Sequence, residues 1–461
     1  MVVGDMFEEV DFLVVGGGPG GYTAALRAAE LGRSVTLVDA DGAEGLGGAC
    51  LHVGCIPSKA LIEVASHSWR AGELELAGLE PLRPSFDGKR FQSWKADLVT
   101  GLAGNVARLL EGAGVRIVRG RASLAAPDRV TVESAGAAMP LSLQFKDAVL
   151  AAGSRPTALE TLPRDGERVL DSTDALALDA PPATLAVVGG GYIGLELGVA
   201  FAKLGSKVTV IEATDRLLPE LPELVTKPVG KRLAALGVTV HTNTLALGHD
   251  GERLSCQSGD ETVTVECERV LVAVGRTSNA DGLELDRAGL EDARADAADR
   301  RIHDRIAMIG DLAPGPALAH KATAEARVAA EALCGRRVAF APSAIPLVVF
   351  CDPEIASAGL TLEDAREQGF DAEAAMIPLA ASGRAATLGT RDGLAQWVVD
   401  RDSGALLGAH MVGPHASELI AEAVLAIEMA ASPEDVALTI HTHPTLGELW
   451  GDAAQRLVAR D

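Results

Sequence analysis

Two cysteines five positions apart, Cys50 and Cys55, stand in the stretch Gly47-Gly48-Ala49-Cys50-Leu51-His52-Val53-Gly54-Cys55-Ile56-Pro57-Ser58-Lys59. Thiols at that spacing can bridge one another and exchange with an incoming thiol. The helical pattern over 56–65 and the glycines before it put a helix start near Cys50, and a helix N-terminus makes a thiol more acidic. Near the other end, His443-Pro444-Thr445-Leu446-Gly447-Glu448 sets a histidine five residues before a carboxylate. A carboxylate at that reach fixes the imidazole tautomer and turns the ring into a proton acceptor. His441 competes but lacks the spacing to Glu448. Lone cysteines and histidines are more often structural; here the flanking residues favour chemistry. A zinc site needs more ligands than His52 adds, so no metal is read.

These groups need a scaffold, and glycine spacing supplies one twice. Residues 11–15 read as a strand, Gly16-Gly17-Gly18-Pro19-Gly20-Gly21 as a turn, and the alanine-rich run to Leu31 as a helix that Gly32 ends. A second strand, 34–38, ends in Asp39. Gly16, Gly18 and Gly21 let a backbone approach a pyrophosphate at a helix N-terminus, and Asp39 can accept from an adenosine ribose. The pattern recurs as strand 185–188, turn Gly189-Gly190-Gly191-Tyr192-Ile193-Gly194, helix 195–204 and strand 207–211 before Glu212. One such turn is a weak signal in a glycine-rich chain; two with correctly spaced acids are specific. A carboxylate at 212 accepts a ribose 2′-hydroxyl and repels a 2′-phosphate. Ala213 and Thr214 add no cation, so NAD is expected over NADP. Glu196 stands in the second helix among apolar neighbours, where a charge is costly unless paired.

The chain has 461 residues, 48% hydrophobic and 23% charged, enough for about three domains. Its net charge of −23 disfavours nucleic acid and anionic membranes as partners. Six cysteines in so long a chain are no disulfide framework, and a cytoplasmic protein with one redox-active pair fits them. The acidic residues 1–10 do not read as a leader. The weakly charged run 184–202 is interrupted by glycines and Glu196, so it reads as strand–turn–helix and not as a membrane span. Residues 94–113 have a long helical pattern, with strands expected at 114–118 and 137–145. Residues 306–311 read as a strand ending in Gly-Asp, followed by a helix from about 316–322 to about 333. From 345 the character changes, to strands 348–350, 393–400 and 406–412 and helices 416–431 and 433–438.

The stretch Gly47 to Leu61 resembles the active-site motif of the FAD-dependent pyridine nucleotide–disulfide oxidoreductases, with Ala49 for the usual Thr and His52 for Asn. The resemblance implies that Cys50 exchanges with the thiol substrate while Cys55 sits against the flavin with Lys59 nearby, and that Glu196 pairs with Lys59. It places Gly16, Gly18, Gly20, Gly21, Asp39, Ala49, Lys59, Ala122, Ala152, Gly153, Ser154 and Asp311 at FAD. Ala317, Leu318, Ala319 and His320, in a form like that of the dihydrolipoamide dehydrogenase branch, join them. Gly189, Gly191, Tyr192, Ile193, Gly194, Glu196, Glu212 and Gly275 fall at NAD. His443 and Glu448 match the family's base motif, which implies that His443 reaches the disulfide of a second subunit in a homodimer.

The expected fold is α/β, with two Rossmann-like dinucleotide-binding domains and a C-terminal α+β dimer-interface domain. Its divisions are 1–150 (FAD, redox disulfide), 151–277 (NAD), 278–342 (completing the FAD site) and 343–461 (interface). The implied activity oxidises dihydrolipoamide on a lipoyl-bearing protein, either an E2-type acyltransferase or a glycine-cleavage carrier, and reduces NAD+. An NAD-linked reductase of another disulfide and a non-catalytic FAD sensor or scaffold are the alternatives. A sensor has no need of the His443–Glu448 arrangement.

Overall fold

A computed structural model describes residues 7–73, 78, 80, 82 and 84–459. Residues 1–6 of the acidic N-terminal stretch lie outside it. Val- and Leu-rich runs form strands buried on both faces, as parallel sheets covered by helices require. β1 (Glu8–Val15) pairs in parallel with β2 (Val35–Asp39), Phe12 opposite Val35, and with β3 (Leu141–Leu150), Val15 opposite Leu150. α1 (Pro19–Glu30) leaves the first glycine turn and packs on this sheet.

The cysteines lie on two helices. α2 (Gly48–His52) holds Cys50, and α3 (Cys55–Glu73) begins at Cys55. The sequence suggested a single helix start. The break at Val53–Gly54 separates the two, and a Cβ on Gly54 would sit 2.9 Å from the Ala49 carbonyl oxygen. Together 48–72 form the stretch among the described residues that is long and apolar enough to cross a membrane by length and composition. It is interrupted at that break, and α3 packs on a helix of the second lobe.

That second lobe has β4 (Thr184–Val188) between β5 (Lys207–Ile211) and Arg269–Val272, all parallel, in a five-stranded sheet. α4 (Tyr192–Lys203) starts three residues before the expected helix, directly on the glycine turn. The antiparallel pair Ser154–Pro156 and Arg276–Ser278 ties the two lobes together. The chain then returns to the first sheet through β6 (Ile306–Met308), parallel to β3 with Ile306 opposite Ala148. Here the expected strand to 311 stops at Met308, and Gly310–Leu312 forms a 3-10 turn that carries Asp311. α5 (Ala319–Leu333) follows and lies against α1, with Ala326, Ala329 and Ala330 facing Ala24, Ala25 and Ala28 in one core. Alanines on both helices permit close approach.

The last lobe is a five-stranded antiparallel sheet in the order Leu347–Val349, Ile355–Gly359, Leu406–Val412, Leu394–Asp400, Ala372–Pro378. α6 (Ala416–Glu428) and α7 (Glu448–Val458) cover it, with the Trp397 and Trp450 rings tilted against each other at 4.9 Å in its core. α6 ends before the expected 431, where Ala430 takes a φ of +49°. The long first-lobe helix runs Gly88–Gly112, longer at its start because Asp87 caps it through the Arg90 N–H.

Candidate active site

The cysteine segment is planted on the first glycine turn. Gly47 (φ +100°) donates its N–H to the Gly17 carbonyl at 2.8 Å. A Cβ on Gly48 would fall 2.7 Å from Gly18 Cα, so backbone meets backbone there. His52, from within α2, contacts the Leu46 carbonyl through Nε2 at 2.9 Å and pins the lead-in of its own helix. The ring nitrogen facing a carbonyl must carry the proton.

The Cys50 and Cys55 side chains lie close enough to interact, as the expected redox pair requires. The Cys50 thiol donates to Cys55, which raises its own pKa; burial adds to this. Cys55 is lowered to about 7, first by that hydrogen bond and then by the charge of Lys59, against burial. The acidic thiol is therefore the one at the start of α3, whereas the sequence pattern points to a helix start near Cys50.

Lys59 Nζ lies 2.7 Å from Glu196 Oε2. Glu196, 3% exposed on α4, also accepts from the Phe350 N–H at 2.9 Å. Lys59 stands 4.5 Å from the Phe350 ring centroid. A single buried carboxylate thus joins the cysteine helix, the second lobe and the last lobe, with both oxygens hydrogen-bonded, as a buried charge requires. Glu196 belongs to this cluster; it is not among the residues lining the second-turn cavity.

Both glycine turns fit a dinucleotide for the same steric reasons. A Cβ on Gly16 would meet the Ala151 carbonyl oxygen at 2.4 Å, and one on Gly189 the Ala273 carbonyl oxygen at 2.4 Å. On Gly21 and Gly194 a Cβ would strike the carbonyl oxygens of Gly16 and Gly189, at 1.7 and 2.1 Å. Gly191 has nothing within 4 Å, an open face toward a ligand. Gly20 packs on Ile309 and Ala322.

The two acids cap their own turns. Asp39 Oδ2 accepts from Gly17 N–H at 2.8 Å, and Glu212 Oε2 from Gly190 N–H at 2.6 Å. Glu212 also accepts from the backbone and hydroxyl of Thr214, both at 2.7 Å.

On the first-lobe side, Asp311 Oδ2 accepts from the Ser154 hydroxyl, which accepts in turn from Arg276 Nε at 2.7 Å. Arg276 was not among the expected site residues; its position beside Gly275 was the one available signal. Ala152 and Gly153 present carbonyls to Asn279 at 2.9 and 3.0 Å. Ala122 lies buried in a strand paired with Val132, whereas Ala49 is exposed on α2.

A cavity of about 650 Å³ opens at the second turn. Gly189, Gly191, Tyr192, Ile193, Glu212 and Gly275 line it. Ala317 and Leu318, expected at FAD, line this cavity too. Ala319 starts α5, and His320 contacts the Pro346 carbonyl at 2.8 Å. Burial raises the Tyr192 phenol.

His443 Nδ1 lies 2.8 Å from Glu448 Oε1, and the Thr445 N–H donates to Glu448 Oε2 at 2.8 Å. That backbone bond, then His443, lowers the Glu448 carboxyl. The His443 side chain is 80% exposed, its Nε2 edge free to face outward. His441 turns elsewhere, with Nε2 2.7 Å from Glu422. Among the described residues no hydrogen bond joins His443 to either cysteine. In the same lobe Leu425, Met429, Leu438 and Ile440 are exposed, Ile440 at 96%, and exposed apolar side chains are of the kind that pack against another chain.

A family model, pyridine nucleotide-disulphide oxidoreductase, matches residues 10–326, and the dimerisation domain of the same family matches 345–454. The dihydrolipoyl dehydrogenase of Geobacillus stearothermophilus is 45% identical over 464 residues, 99% of this chain and 97% of that one. That of Halobacterium salinarum is 45% identical over 467 residues, 99% of this chain and 98% of that one. The crystal structure of LpdA from Mycobacterium tuberculosis superposes with a TM-score of 0.89 at 28% identity, over 97% of this chain and 100% of that one.

Proposed function

The chain belongs to the pyridine nucleotide-disulphide oxidoreductase family, and on that premise we propose that it oxidises protein-bound dihydrolipoamide to lipoamide and reduces NAD+. Members of the family use FAD and NAD. The observation that carries the reading is the juxtaposed Cys50–Cys55 pair, with Cys55 held acidic beside Lys59, itself paired with the buried Glu196. The named relatives, similar over nearly their whole length, support the choice of lipoamide.

His443, oriented by Glu448, takes a proton from one substrate thiol. The thiolate attacks Cys50 Sγ of the oxidised pair, and Cys55 leaves as a thiolate. The second substrate thiol attacks the substrate sulfur of the mixed disulfide. Cys50 is released, takes up a proton, and the cyclic disulfide product departs. A bound FAD would supply the two-electron chemistry that links the Cys50–Cys55 dithiol to NAD+, with Cys55 as the cysteine facing it and Lys59 beside it. Gly16, Gly18, Gly21, Asp39, Ser154 and Asp311 hold FAD, while Gly189, Gly191, Gly194 and Glu212 hold NAD.

The dimerisation-domain match supports a homodimer, in which His443 serves the cysteines of the other copy. The exposed apolar residues of the same lobe support the same arrangement. The reading divides the chain at 1–150, 151–277, 278–342 and 343–461, with an E2-type acyltransferase or a glycine-cleavage carrier as partner. Thiol usage supports the cytoplasm as its location.

Anaerobic titration with dihydrolipoamide tests the substrate. A long-wavelength thiolate–flavin band and NAD+ reduction are expected. Their absence, with FAD bound, overturns the reading and leaves the sensor alternative. Faster turnover with another dithiol favours the general disulfide reductase.

A further inference from the structure

The mechanism makes no use of three buried charges behind the turn that carries Asp311. Lys321 is 2% exposed, Glu325 0% and Arg300 7%. Lys321 and Glu325 stand one helical turn apart on α5, with Nζ 3.3 Å from Oε1. Together they grip one residue from both sides. The Gly310 N–H donates to Glu325 Oε2 at 2.7 Å, and the Gly310 carbonyl accepts from Lys321 Nζ at 3.0 Å. Lys321 also reaches the Ala313 carbonyl at 3.5 Å. The third charge, Arg300, brings Nε to 3.1 Å from Glu325 Oε1 and lies over the Phe340 ring at 4.3 Å.

Gly310 needs this grip. Its φ of +69° is a left-handed conformation, and it lies next to the residue whose carboxylate meets Ser154. We propose that Lys321 and Glu325 are positioning residues for FAD: the buried pair fixes the Gly310 peptide and so holds Asp311 facing the first dinucleotide turn. This rests on the reading that Asp311 meets FAD. A buried pair kept at the cost of desolvation, with both charges spent on one backbone unit, has a positional role that packing alone would not need.

The charge balance tells the variants apart. Two cations share one anion. Lys321→Met leaves Glu325 paired with Arg300 and removes the donor to the Gly310 carbonyl, together with the longer contact to the Ala313 carbonyl. Glu325→Leu strands two buried cations and is expected to cost far more stability.

The test is FAD release from the diluted holoenzyme, followed by flavin fluorescence, with the melting temperature read alongside. In Lys321→Met the FAD Kd is expected to rise about tenfold, as loss of a charge-assisted hydrogen bond at the site would cause. In an Asp311→Asn background the Lys321 effect should shrink to about threefold or less, because it acts through Asp311. An unchanged Kd in Lys321→Met overturns the proposal, and so does an undiminished effect in the Asp311→Asn background. Should Lys321→Met not fold, amide exchange of the parent holoenzyme decides. Gly310 N–H protected like the amides of β3 supports the clamp; exchange as fast as in exposed loops overturns it. A parent protein that binds no FAD overturns instead the cofactor reading on which the clamp rests.

Discussion

The two glycine turns are near copies in backbone sterics and differ in what lies on top of them. In each, the first and third glycines are pressed against a carbonyl, and the following acid caps the turn. Over the first turn the chain folds Gly47 and Gly48 into backbone contact and plants α2, with Cys50, on the spot. Over the second it leaves a cavity of about 650 Å³ with Gly191 bare. The first turn is thus covered by the segment that carries the redox pair, whereas the second stays open to a cavity. The same local sequence device has a covered setting in one lobe and an open one in the other, and the difference comes from the neighbouring chain.

The largest expected effect separates the two half-reactions. His443→Gln should slow dithiol oxidation by about 10²–10⁴-fold, the usual loss for a general base, and leave NADH oxidation by an artificial acceptor near normal. Equal losses in both assays would contradict the division of labour.

Gly48→Ala attacks the roof itself. Its Cβ would collide with Gly18, so Cys50 shifts and dithiol turnover is expected to fall about 10²-fold, as misplacement by about 1 Å can cause. At the open turn Gly191→Ala meets no neighbour and should raise the KM for NAD+ with FAD retained; loss of FAD there would erase the contrast.

Glu212→Arg should move cosubstrate preference toward NADP by about 10–100-fold in kcat/KM ratio, the worth of one charge contact changing sign. Unchanged preference would remove the ribose argument.

Lys59→Met should shift the Cys55 thiolate midpoint upward from about 7 toward the ordinary 9.0, read by ultraviolet thiolate absorbance in the reduced protein. The depressed pKa favours the folded reduced form above pH 9.0, and that advantage is lost as pH falls through about 7. An unmoved midpoint would leave Cys50 as the sole cause.

The smallest effect is at His52→Leu, which loses the bond to the Leu46 carbonyl. The expected cost is about 1 kcal/mol in denaturant unfolding, the net worth of one hydrogen bond. No loss would show that the roof holds without it.

Much of this was legible in the chain because the relevant interactions are local. Gly16 to Asp39 and Gly189 to Glu212 each complete a strand–turn–helix–strand unit within 23 residues, where spacing alone dictates the turn. The His443–Glu448 pair is five residues long and closes on itself at 2.8 Å. The helix break between Cys50 and Cys55 is not legible in the sequence pattern; α2 is capped at Val53, and Gly54 packs so close to the Ala49 carbonyl that no side chain fits there. The Gly310 turn escaped it too, because apolar residues run on past Met308.

The amino-acid sequence by itself determined the chemistry of the parts: two dinucleotide turns, a thiol pair with a lysine, a histidine with its carboxylate, and acids that suit NAD. Tertiary structure alone decided how they are wired. Glu196 meets Lys59 across 137 residues and the Phe350 N–H across 154, and Asp311 meets Ser154 across 157. Such pairs leave no periodic trace, since side chains that distant become neighbours only when three sheets have packed. The roofing of one turn and the opening of the other are decided in the same way, by which backbone the fold brings within van der Waals reach of a glycine.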